Sequence, residues 1–349
     1  MANSSQEWLE KAISEGHINK LDYNKFTYCS KIGDGGFGTV SKYEWKECEL
    51  TIALKCLKAD SNINKDIIQE FIDELMLLRK VCYHPHVIQF YGVTKVSSGF
   101  YMVLQFADGG NLREYLRRSF IQLQWTNKLC IAKEIAHGLM FLHNHDIVHR
   151  DLHSKNILIH QERAMIADFG LAKQMEEPSM ASNSIICGMP AYTEPNCFVN
   201  NKYKRDKKSD IYSFGVILWE ISSGKPPYQD LSIFMLGAHI LEGNREKPIK
   251  DTPPQYVNLY EQCWDKDPTV RPEIETIFKT LKQLISKEKS IQNNNLTEYI
   301  DFNEGLSSDI SDIRDYAIRS DSHASSLYLP DTINIGFSNI DCQKVRLLR

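Results

Sequence analysis

The chain has 349 residues, of which 42% are hydrophobic and 25% are charged, so its composition is that of an ordinary globular protein with room for about two domains. Its net charge of -4 argues against a nucleic-acid-binding protein, and it contains no apolar run close to the roughly 18 residues that a membrane span requires. The nine cysteines include no CxxC pair, so they indicate neither a zinc site nor a disulfide framework, and a reducing, cytoplasmic or nuclear compartment is expected.

The N-terminal part predicts a short amphipathic helix over residues 4–16. Ser4 and Glu7 have the spacing of a capping box, and Gly16 is a typical residue at a helix end. The apolar face of this helix consists of Trp8, Leu9, Ala12 and Ile13. The pattern favours a strut that packs on the following domain, and a helix that binds a partner is the alternative.

A glycine-rich motif occupies residues 33–40, which read Gly-Asp-Gly-Gly-Phe-Gly-Thr-Val and fit the pattern G-x-G-x-x-G-x-V. Glycines let a backbone turn tightly and approach phosphates without a Cβ in the way. Dinucleotide-binding folds use a similar pattern, but there the glycines open a helix, whereas residues 40–45 read as a strand. The motif therefore predicts a hairpin over phosphates, and a plain structural turn is the alternative.

The next strand and helix supply a pair of opposite charges. The strand predicted over 51–55 ends in Lys55, and a helix is predicted over 65–80. Glu74 lies on the apolar face of that helix, together with Ile67, Phe71 and Leu78. A carboxylate on an apolar face is costly to bury unpaired, so Lys55 is the expected partner of Glu74. The alternative is a glutamate at the edge of the face that points to water.

Two further strands are predicted over 84–88 and 100–104, followed by helices over 112–119 and 125–144. His84 and His86 flank a proline at the start of the first of these strands, and we interpret them as structural residues rather than metal ligands.

Three polar residues at unusual spacing organise the middle of the chain. Asp151 is followed by Asn156 five residues later and by Asp168 twelve residues after that. This set offers one carboxylate that can accept a hydroxyl proton and two oxygen ligands that can hold magnesium against a polyphosphate. Short apolar strands are predicted on both sides of this loop, over 147–148, 157–159 and 165–167.

Together these motifs resemble the eukaryotic protein kinases over residues 26–286, and their overall style is most similar to the tyrosine-kinase-like group. The resemblance implies an α+β, bilobal protein kinase fold with a small antiparallel β-sheet lobe, which carries one main helix, and a larger, mostly α-helical lobe. The implied boundaries are an N-terminal helical extension over 1–22, an N-lobe over about 23–105, a C-lobe over about 110–288, and a mostly disordered tail over 289–349, whose residues are polar without a sustained period.

The resemblance also implies a role for each polar residue of the motifs. Asp151 would accept the proton of the acceptor hydroxyl, and Asn156 and Asp168 would hold Mg²⁺. Lys55, oriented by Glu74, would hold the α- and β-phosphates of ATP, and Lys155 would neutralise the γ-phosphate. The full set of implied nucleotide-binding residues is Ile32, Gly33, Gly35, Gly36, Phe37, Gly38, Val40, Ala53, Lys55, Glu74, Leu104, Gln105, Ala107 and Leu158, with the hinge at 105–107.

Further residues of the C-lobe acquire roles by the same resemblance. His149 would organise backbone, and Asp210, on a helix that is apolar nearly all round, would hydrogen-bond the backbone of the catalytic loop, which is the stretch over 149–156. Arg150 would bind a phosphate on the loop over 168–196. The candidate autophosphorylation sites on that loop are Ser179, Ser182 and Ser184, and surface serines without such a role are the alternative.

Three positions depart from the family pattern. Serine/threonine kinases usually carry lysine where this chain has His153 and threonine where it has Met189, so the acceptor residue is open. Asn196 replaces the glutamate that normally pairs with a C-lobe arginine, here Arg271, and the alternative partner is Glu194. The favoured function is phosphate transfer to serine or threonine of protein substrates. The alternatives are a tyrosine or dual-specificity kinase and a pseudokinase scaffold.

Overall fold

The computed structural model describes residues 3–35, 38–56, 65–96, 99–174, 189–200 and 202–303. A first compact unit contains the described residues up to Leu284, and a second begins at Ile285. The strands are β1 (Phe26–Gly35), β2 (Gly38–Trp45), β3 (Leu50–Cys56), β4 (Phe90–Val96), β5 (Gly99–Gln105), β6 (Ile147–Val148), β7 (Ile157–His160), β8 (Arg163–Ile166) and β9 (Lys173–Gln174). The helices are α1 (Asn3–Ser14), α2 (Lys65–Val81), α3 (Leu112–Ser119), α4 (Trp125–Asn144), α5 (Asn196–Val199), α6 (Lys207–Ser223), α7 (Ile233–Leu241), α8 (Pro254–Cys263) and α9 (Ile274–Asn303).

The N-lobe is an antiparallel five-stranded sheet with the strand order β1-β2-β3-β5-β4, and α2 follows β3 in the chain. Aromatic side chains fill one face of the sheet because alternate strand residues point to the same side. Phe26 and Trp45 meet edge to face at 5.5 Å, and Trp45 meets Tyr91 at 6.4 Å. The predicted small antiparallel lobe with one main helix is therefore confirmed.

The predicted strand over 84–88 is wrong. These residues form turns, and β4 begins only at Phe90. Pro85 has no backbone N–H to donate to a ladder, and proline favours turns. Val87 makes only an isolated parallel bridge, to Ile166 of β8, which ties this turn to the C-lobe.

The N-terminal helix packs on the rest of its own chain, as the strut interpretation expects. Leu9 and Ala12 of α1 are 2% and 4% exposed. After the helix, the backbone pairs with β4, where Leu21 N–H donates to Val93 O and Val93 N–H donates to Asn19 O, both at 2.8 Å. A Cβ at Gly92 would lie 2.4 Å from Asn19 O, so this close approach requires glycine.

The C-lobe surrounds α6, which is buried on nearly every side, as its apolar sequence predicts. The observed α3 and α4 have the predicted bounds 112–119 and 125–144. Two small antiparallel pairs, β6 with β9 and β7 with β8, frame the polar loop between β6 and β7. The larger helical lobe is thus confirmed as well.

The last helix corrects the expectation of a mostly disordered tail from residue 289 onward. The helix α9 continues to Asn303, so the first part of the expected disordered tail is helical, and 304–349 lie outside the described residues. Residues 274–303 contain no proline or glycine that would end helix α9 earlier. Among the described helices, none is long and apolar enough to cross a membrane, and the cytoplasmic location stays a prediction.

Candidate active site

Lys55 joins the two lobes through a pair of carboxylates. Its ammonium lies 2.6 Å from Glu74 Oε1 on α2 and 3.0 Å from Asp168 Oδ1, which follows β8 in the C-lobe. Glu74 is 5% exposed and shares its buried helix face with Phe71 and Leu78, so it needs this cation. The sequence prediction of a Lys55–Glu74 pair is confirmed, and Asp168 joins it.

The ammonium of Lys55 stabilises the charge of Asp168 and opposes the effect of burial on Glu74. Burial alone would lower the pKa of Lys55, but the carboxylates of Glu74 and Asp168 outweigh burial and raise it. Burial would likewise raise the pKa of Asp168, but the neighbouring ammonium lowers it below the usual aspartate value. Burial raises the pKa of Glu74 against the opposing effect of Lys55. Lys55 therefore stays charged at neutral pH, and so does Asp168.

The glycine-rich motif lies in a hairpin, as predicted, because β1 and β2 pair with Gly33 opposite Val40 and Gly35 opposite Gly38. Gly36 and Phe37, at the tip, lie outside the described residues. Val40 of β2 is in turn opposite Lys55 on β3, so the hairpin lies next to the strand that carries the lysine of the triad. Ile32, on β1 beside the hairpin, is 49% exposed.

The expected adenine-binding positions are adjacent in the sheet. Ala53 of β3 is opposite Leu104 of β5, and Gln105 N–H donates to Gln89 O at 2.9 Å where the chain leaves the sheet. Ala107 follows in the connection to the C-lobe, which Leu158 meets from β7 through its bridge to Asn111. Strand register thus places Ala53 beside Leu104, and the Asn111–Leu158 bridge brings β7 of the C-lobe to the connection after the hinge.

The connection after the hinge is pinned to β7 at close range. Gly109 N–H donates to Ile159 O at 2.9 Å, and Ile159 N–H donates to Gly110 O at 2.8 Å. A Cβ on Gly109 would lie 2.8 Å from Ile159 O, so the chain crosses between the lobes where only glycine fits.

Asp210 of α6 fixes the backbone of the catalytic loop. Its carboxylate accepts hydrogen bonds from His149 N–H at 2.8 Å, Arg150 N–H at 2.9 Å and His143 Nε2 at 3.0 Å. His149 Nε2 donates in turn to Ala167 O at 3.0 Å. The predicted backbone-organising roles of Asp210 and His149 are confirmed by these contacts.

The structure brings Asp151 and Asn156 into direct contact. Asn156 Nδ2 donates to Asp151 O at 2.9 Å and to Asp151 Oδ2 at 3.2 Å. Burial raises the pKa of Asp151. His153 Nε2 lies 3.6 Å from the same carboxylate, and burial lowers the pKa of His153 to about 4. Lys155, between them in the chain, is exposed at the surface of the loop.

Sequence reasoning missed a buried polar cluster next to this loop, formed by Arg113, Ser154, Tyr192 and Glu220. Arg113 Nε donates to Ser154 Oγ at 3.1 Å and to Glu220 Oε1 at 3.0 Å. The Tyr192 hydroxyl donates to Glu220, and burial with this carboxylate raises the pKa of Tyr192. The cluster ties α3, the catalytic loop, the segment before α5 and α6 together. Its members lie up to 107 positions apart, so local periodicity gave no signal.

Arg271 obtains its carboxylate from an unusual position. Arg271 Nη1 lies 2.8 Å from Glu194 Oε2, and the two residues are 1% and 2% exposed. Of the two partners considered from sequence, Glu194 therefore forms the ion pair. Ser209 Oγ also donates to Glu194, so the carboxylate is further satisfied.

The loop expected to carry phosphorylation lies mostly outside the described residues, including Ser179, Ser182 and Ser184. Arg150 has a positive φ of 66°, which is unfavourable for a residue other than glycine, and Asp210 holds its backbone there. Arg205 Nη1 donates to Arg150 O at 2.7 Å. Phosphate binding by Arg150 stays a prediction.

Comparisons with known proteins agree with this geometry. The family described as protein tyrosine and serine/threonine kinase matches residues 26–281. The chain is 34% identical over 267 residues to the probable serine/threonine-protein kinase kinX of Dictyostelium discoideum, covering 76% of this chain and 24% of that protein. It is 32% identical over 264 residues to tyrosine-protein kinase Abl of Drosophila melanogaster, covering 75% of this chain and 16% of that protein.

A third relative is the putative serine/threonine-protein kinase/receptor R818 of Acanthamoeba polyphaga mimivirus, 31% identical over 274 residues, which are 78% of this chain and 16% of the relative. The chain thus spans less than a third of the length of each of these three relatives. The matched family covers the two lobes and every element that positions Lys55, Asp151, Asn156 and Asp168. The chain belongs to the protein kinase family.

Proposed function

We propose that this chain is an ATP-dependent protein kinase that transfers the γ-phosphate of ATP to protein hydroxyls, with serine and threonine favoured over tyrosine. One observation carries the proposal: Lys55 contacts Glu74 at 2.6 Å and Asp168 at 3.0 Å. The sheet, α2 and the C-lobe loop thereby meet at one buried cation, at the lobe boundary where a triphosphate has to be held. This arrangement supports phosphoryl transfer, in which positioning and charge neutralisation are the main tasks of the protein.

Each residue of the site then has a task. Lys55 holds the α- and β-phosphates, and Glu74 keeps its ammonium in place. Asp151 orients the acceptor hydroxyl and accepts its proton. Lys155 extends from the exposed side of the catalytic loop and neutralises the γ-phosphate, in place of the lysine that serine/threonine kinases carry two residues after the catalytic aspartate.

Asn156 and Asp168 form a ligand set that fits Mg²⁺. Asn156 uses its Nδ2 to donate to Asp151, so its Oδ1 is the atom left to ligate. Asp168 turns Oδ1 toward Lys55 and supplies the second carboxylate oxygen. An amide oxygen and a carboxylate are hard ligands of the kind that magnesium prefers, with phosphates and water completing the shell. Bound magnesium would neutralise negative charge on the β- and γ-phosphates.

The relatives and two residues of this chain point to different acceptor residues. Two of the relatives are named as serine/threonine kinases, which favours serine or threonine as the acceptor. Abl, however, is a tyrosine kinase. His153 and Met189 also replace the lysine and the threonine that serine/threonine kinases usually carry at these positions. A pseudokinase scaffold is disfavoured because Lys55, Asp151 and the two metal-binding residues are all present. Scaffolds of this family typically lose one or more of them.

The test is transfer of labelled phosphate from γ-labelled ATP with Mg²⁺ to a generic protein substrate and to the chain itself. Wild-type protein should label the substrate, and Asp151→Asn should reduce labelling at least about 100-fold because the proton acceptor is removed. Phosphoamino-acid analysis should show phosphoserine or phosphothreonine. Autophosphorylation is expected at Ser179, Ser182 or Ser184. Equal labelling by both proteins would refute catalysis through Asp151.

A further inference from the structure

His153 occupies a buried position beside the catalytic carboxylate. The residue is 8% exposed, and its ring lies against the Tyr192 ring with centroids 5.9 Å apart. Tyr192 is itself held by the buried cluster with Arg113 and Glu220. The ring is therefore fixed from the side that faces the C-lobe core, unlike the exposed side chain of Lys155.

Hydrogen bonds define which nitrogen of this ring carries the proton. The backbone N–H of Asn156 points between His153 O at 2.9 Å and His153 Nδ1 at 3.2 Å. A ring nitrogen that accepts an N–H must present a lone pair, so this contact favours the neutral tautomer in which Nδ1 carries no proton. The ring proton then belongs on Nε2, the atom that faces Asp151.

Asn156 and His153 both approach the same oxygen of the Asp151 carboxylate. Oδ2 accepts from Asn156 Nδ2 at 3.2 Å and lies 3.6 Å from His153 Nε2. That second distance is somewhat longer than a hydrogen bond, and catalytic hydrogen bonds commonly shorten when substrate binds.

We propose that His153 is a positioning residue, which donates its Nε2–H to Asp151 Oδ2 and, together with Asn156, holds the carboxylate so that Oδ1 faces the acceptor hydroxyl. The lysine usual at this position could not accept the Asn156 N–H, so it could not take this place. His153 thus gives the catalytic loop a rigid hydrogen-bond donor to Asp151, the proposed proton acceptor. This inference rests on the proposed function, because it assigns His153 a part in the same reaction.

The kinetic test uses substitutions that separate hydrogen bonding from bulk. His153→Gln keeps an acceptor for Asn156 N–H and a donor for Asp151, whereas His153→Leu fills a similar volume with neither. His153→Leu should lower kcat for peptide phosphorylation about tenfold or more, with KM for ATP and peptide within about twofold. His153→Gln should recover most of that loss. His160 faces Asp108 at 3.2 Å on β7, outside the site, so His160→Leu is the matched control and should leave kcat unchanged.

A spectroscopic arm keeps the inference separate from the proposed function. In ¹⁵N-histidine-labelled protein, the long-range ¹H–¹⁵N signal that disappears in His153→Gln should show a proton on Nε2. This Nε2 signal should shift in Asp151→Asn, while the His160 signals stay in place. A proton on Nδ1, an unshifted Nε2 signal, or wild-type kcat in His153→Leu would each overturn the role of His153. Activity that survives Asp151→Asn would instead count against the proposed kinase reaction.

Discussion

Arg271 is 1% exposed, so its guanidinium has to be matched by a carboxylate inside the C-lobe. Glu194 provides it at 2.8 Å, two positions before the residue where the family pattern has its glutamate. The carbonyls of Asp265 and Lys208 accept further hydrogen bonds at 2.9 Å each. The buried Arg271 guanidinium therefore has its carboxylate partner, although the glutamate lies two positions earlier in the chain than in the family pattern.

Loss of this carboxylate should destabilise the fold. Glu194→Gln keeps the shape of the side chain but leaves Arg271 as a buried charge without its counter-ion, and we expect a loss of roughly 3–5 kcal/mol in the free energy of unfolding. Urea denaturation measures it. Glu261→Gln, an exposed glutamate on α8, is the matched control and should change stability by less than about 0.5 kcal/mol. Equal stability of the two variants would contradict the pairing.

Single residues differ in how far the sequence revealed them. The Lys55–Glu74 pair was predictable because a glutamate on an apolar helix face demands a cation nearby. Sequence narrowed the partner of Arg271 to Asn196 or Glu194 but could not choose, because the choice depends on three-dimensional reach. The Arg113–Glu220 contact was invisible, since no local pattern links residues that far apart.

At the scale of elements, the turn between α2 and β4 packs against α4 through histidine rings. His84 and His137 are 4.6 Å apart, and His84 stacks on Phe141 at 4.5 Å. His86 Nδ1 donates to Ala164 O at 3.0 Å. Their surroundings support the interpretation of His84 and His86 as structural residues.

Burial lowers the pKa of His84 to about 3 and that of His86 to about 4, so both fold as neutral rings. The unfolded chain, with histidine pKa near 6.5, binds protons that the folded chain does not, and stability therefore falls as pH drops below about 6.5. Between pH 7 and pH 5 each ring should cost about 2 kcal/mol of unfolding free energy.

Urea denaturation at both pH values tests this expectation. His84→Gln should reduce the loss of stability between pH 7 and pH 5 by about 2 kcal/mol, because glutamine does not titrate. His17→Gln, at an exposed histidine after α1, should keep the wild-type dependence. The same pH dependence in wild type and His84→Gln would contradict the neutral, buried state of this ring.

Helix α1 should contribute to stability through its buried face. Leu9→Ala removes a side chain that is 2% exposed, and we expect it to lower the free energy of unfolding by about 2–5 kcal/mol. If the N-terminal segment opens alone, the backbone of residues 19–21, which pairs with β4, should instead show faster hydrogen exchange. Lys11→Ala, an exposed residue of the same helix, is the control. Indistinguishable behaviour of the two variants would favour a helix that is reserved for a partner.

Sequence periodicity predicted most elements, because amphipathic period and helix caps are local properties. The bounds of α3 and α4 were predicted, and the strands around the catalytic loop were found. The prediction of a strand over 84–88 is wrong because Pro85 interrupts the segment and only Val87 and Ile88 are apolar. The pairing of residues 19–21 with β4 was not foreseen, since it depends on the glycine at position 92 and a distant edge strand.

At the scale of the molecule, the two lobes present opposite halves of one site. The sheet supplies Lys55. The C-lobe supplies Asp151 and Asn156 from the loop before β7, and Asp168 from the segment after β8. This bilobal arrangement came from the resemblance to protein kinases rather than from periodicity, and the structure and the matching family confirm it. In the proposed reaction, Lys55 and Asp168 act on the same bound triphosphate.

A double-mutant cycle on the rate of phosphate transfer in a single turnover tests that claim most directly. Lys55→Met and Asp168→Asn should each lower the rate by about 10²–10³, because each removes a charge that stabilises the transferring phosphates. If both act on one triphosphate, the double variant should be only about threefold slower than the slower single variant. Losses that multiply in the double variant would show that the two residues act independently and would contradict a shared site.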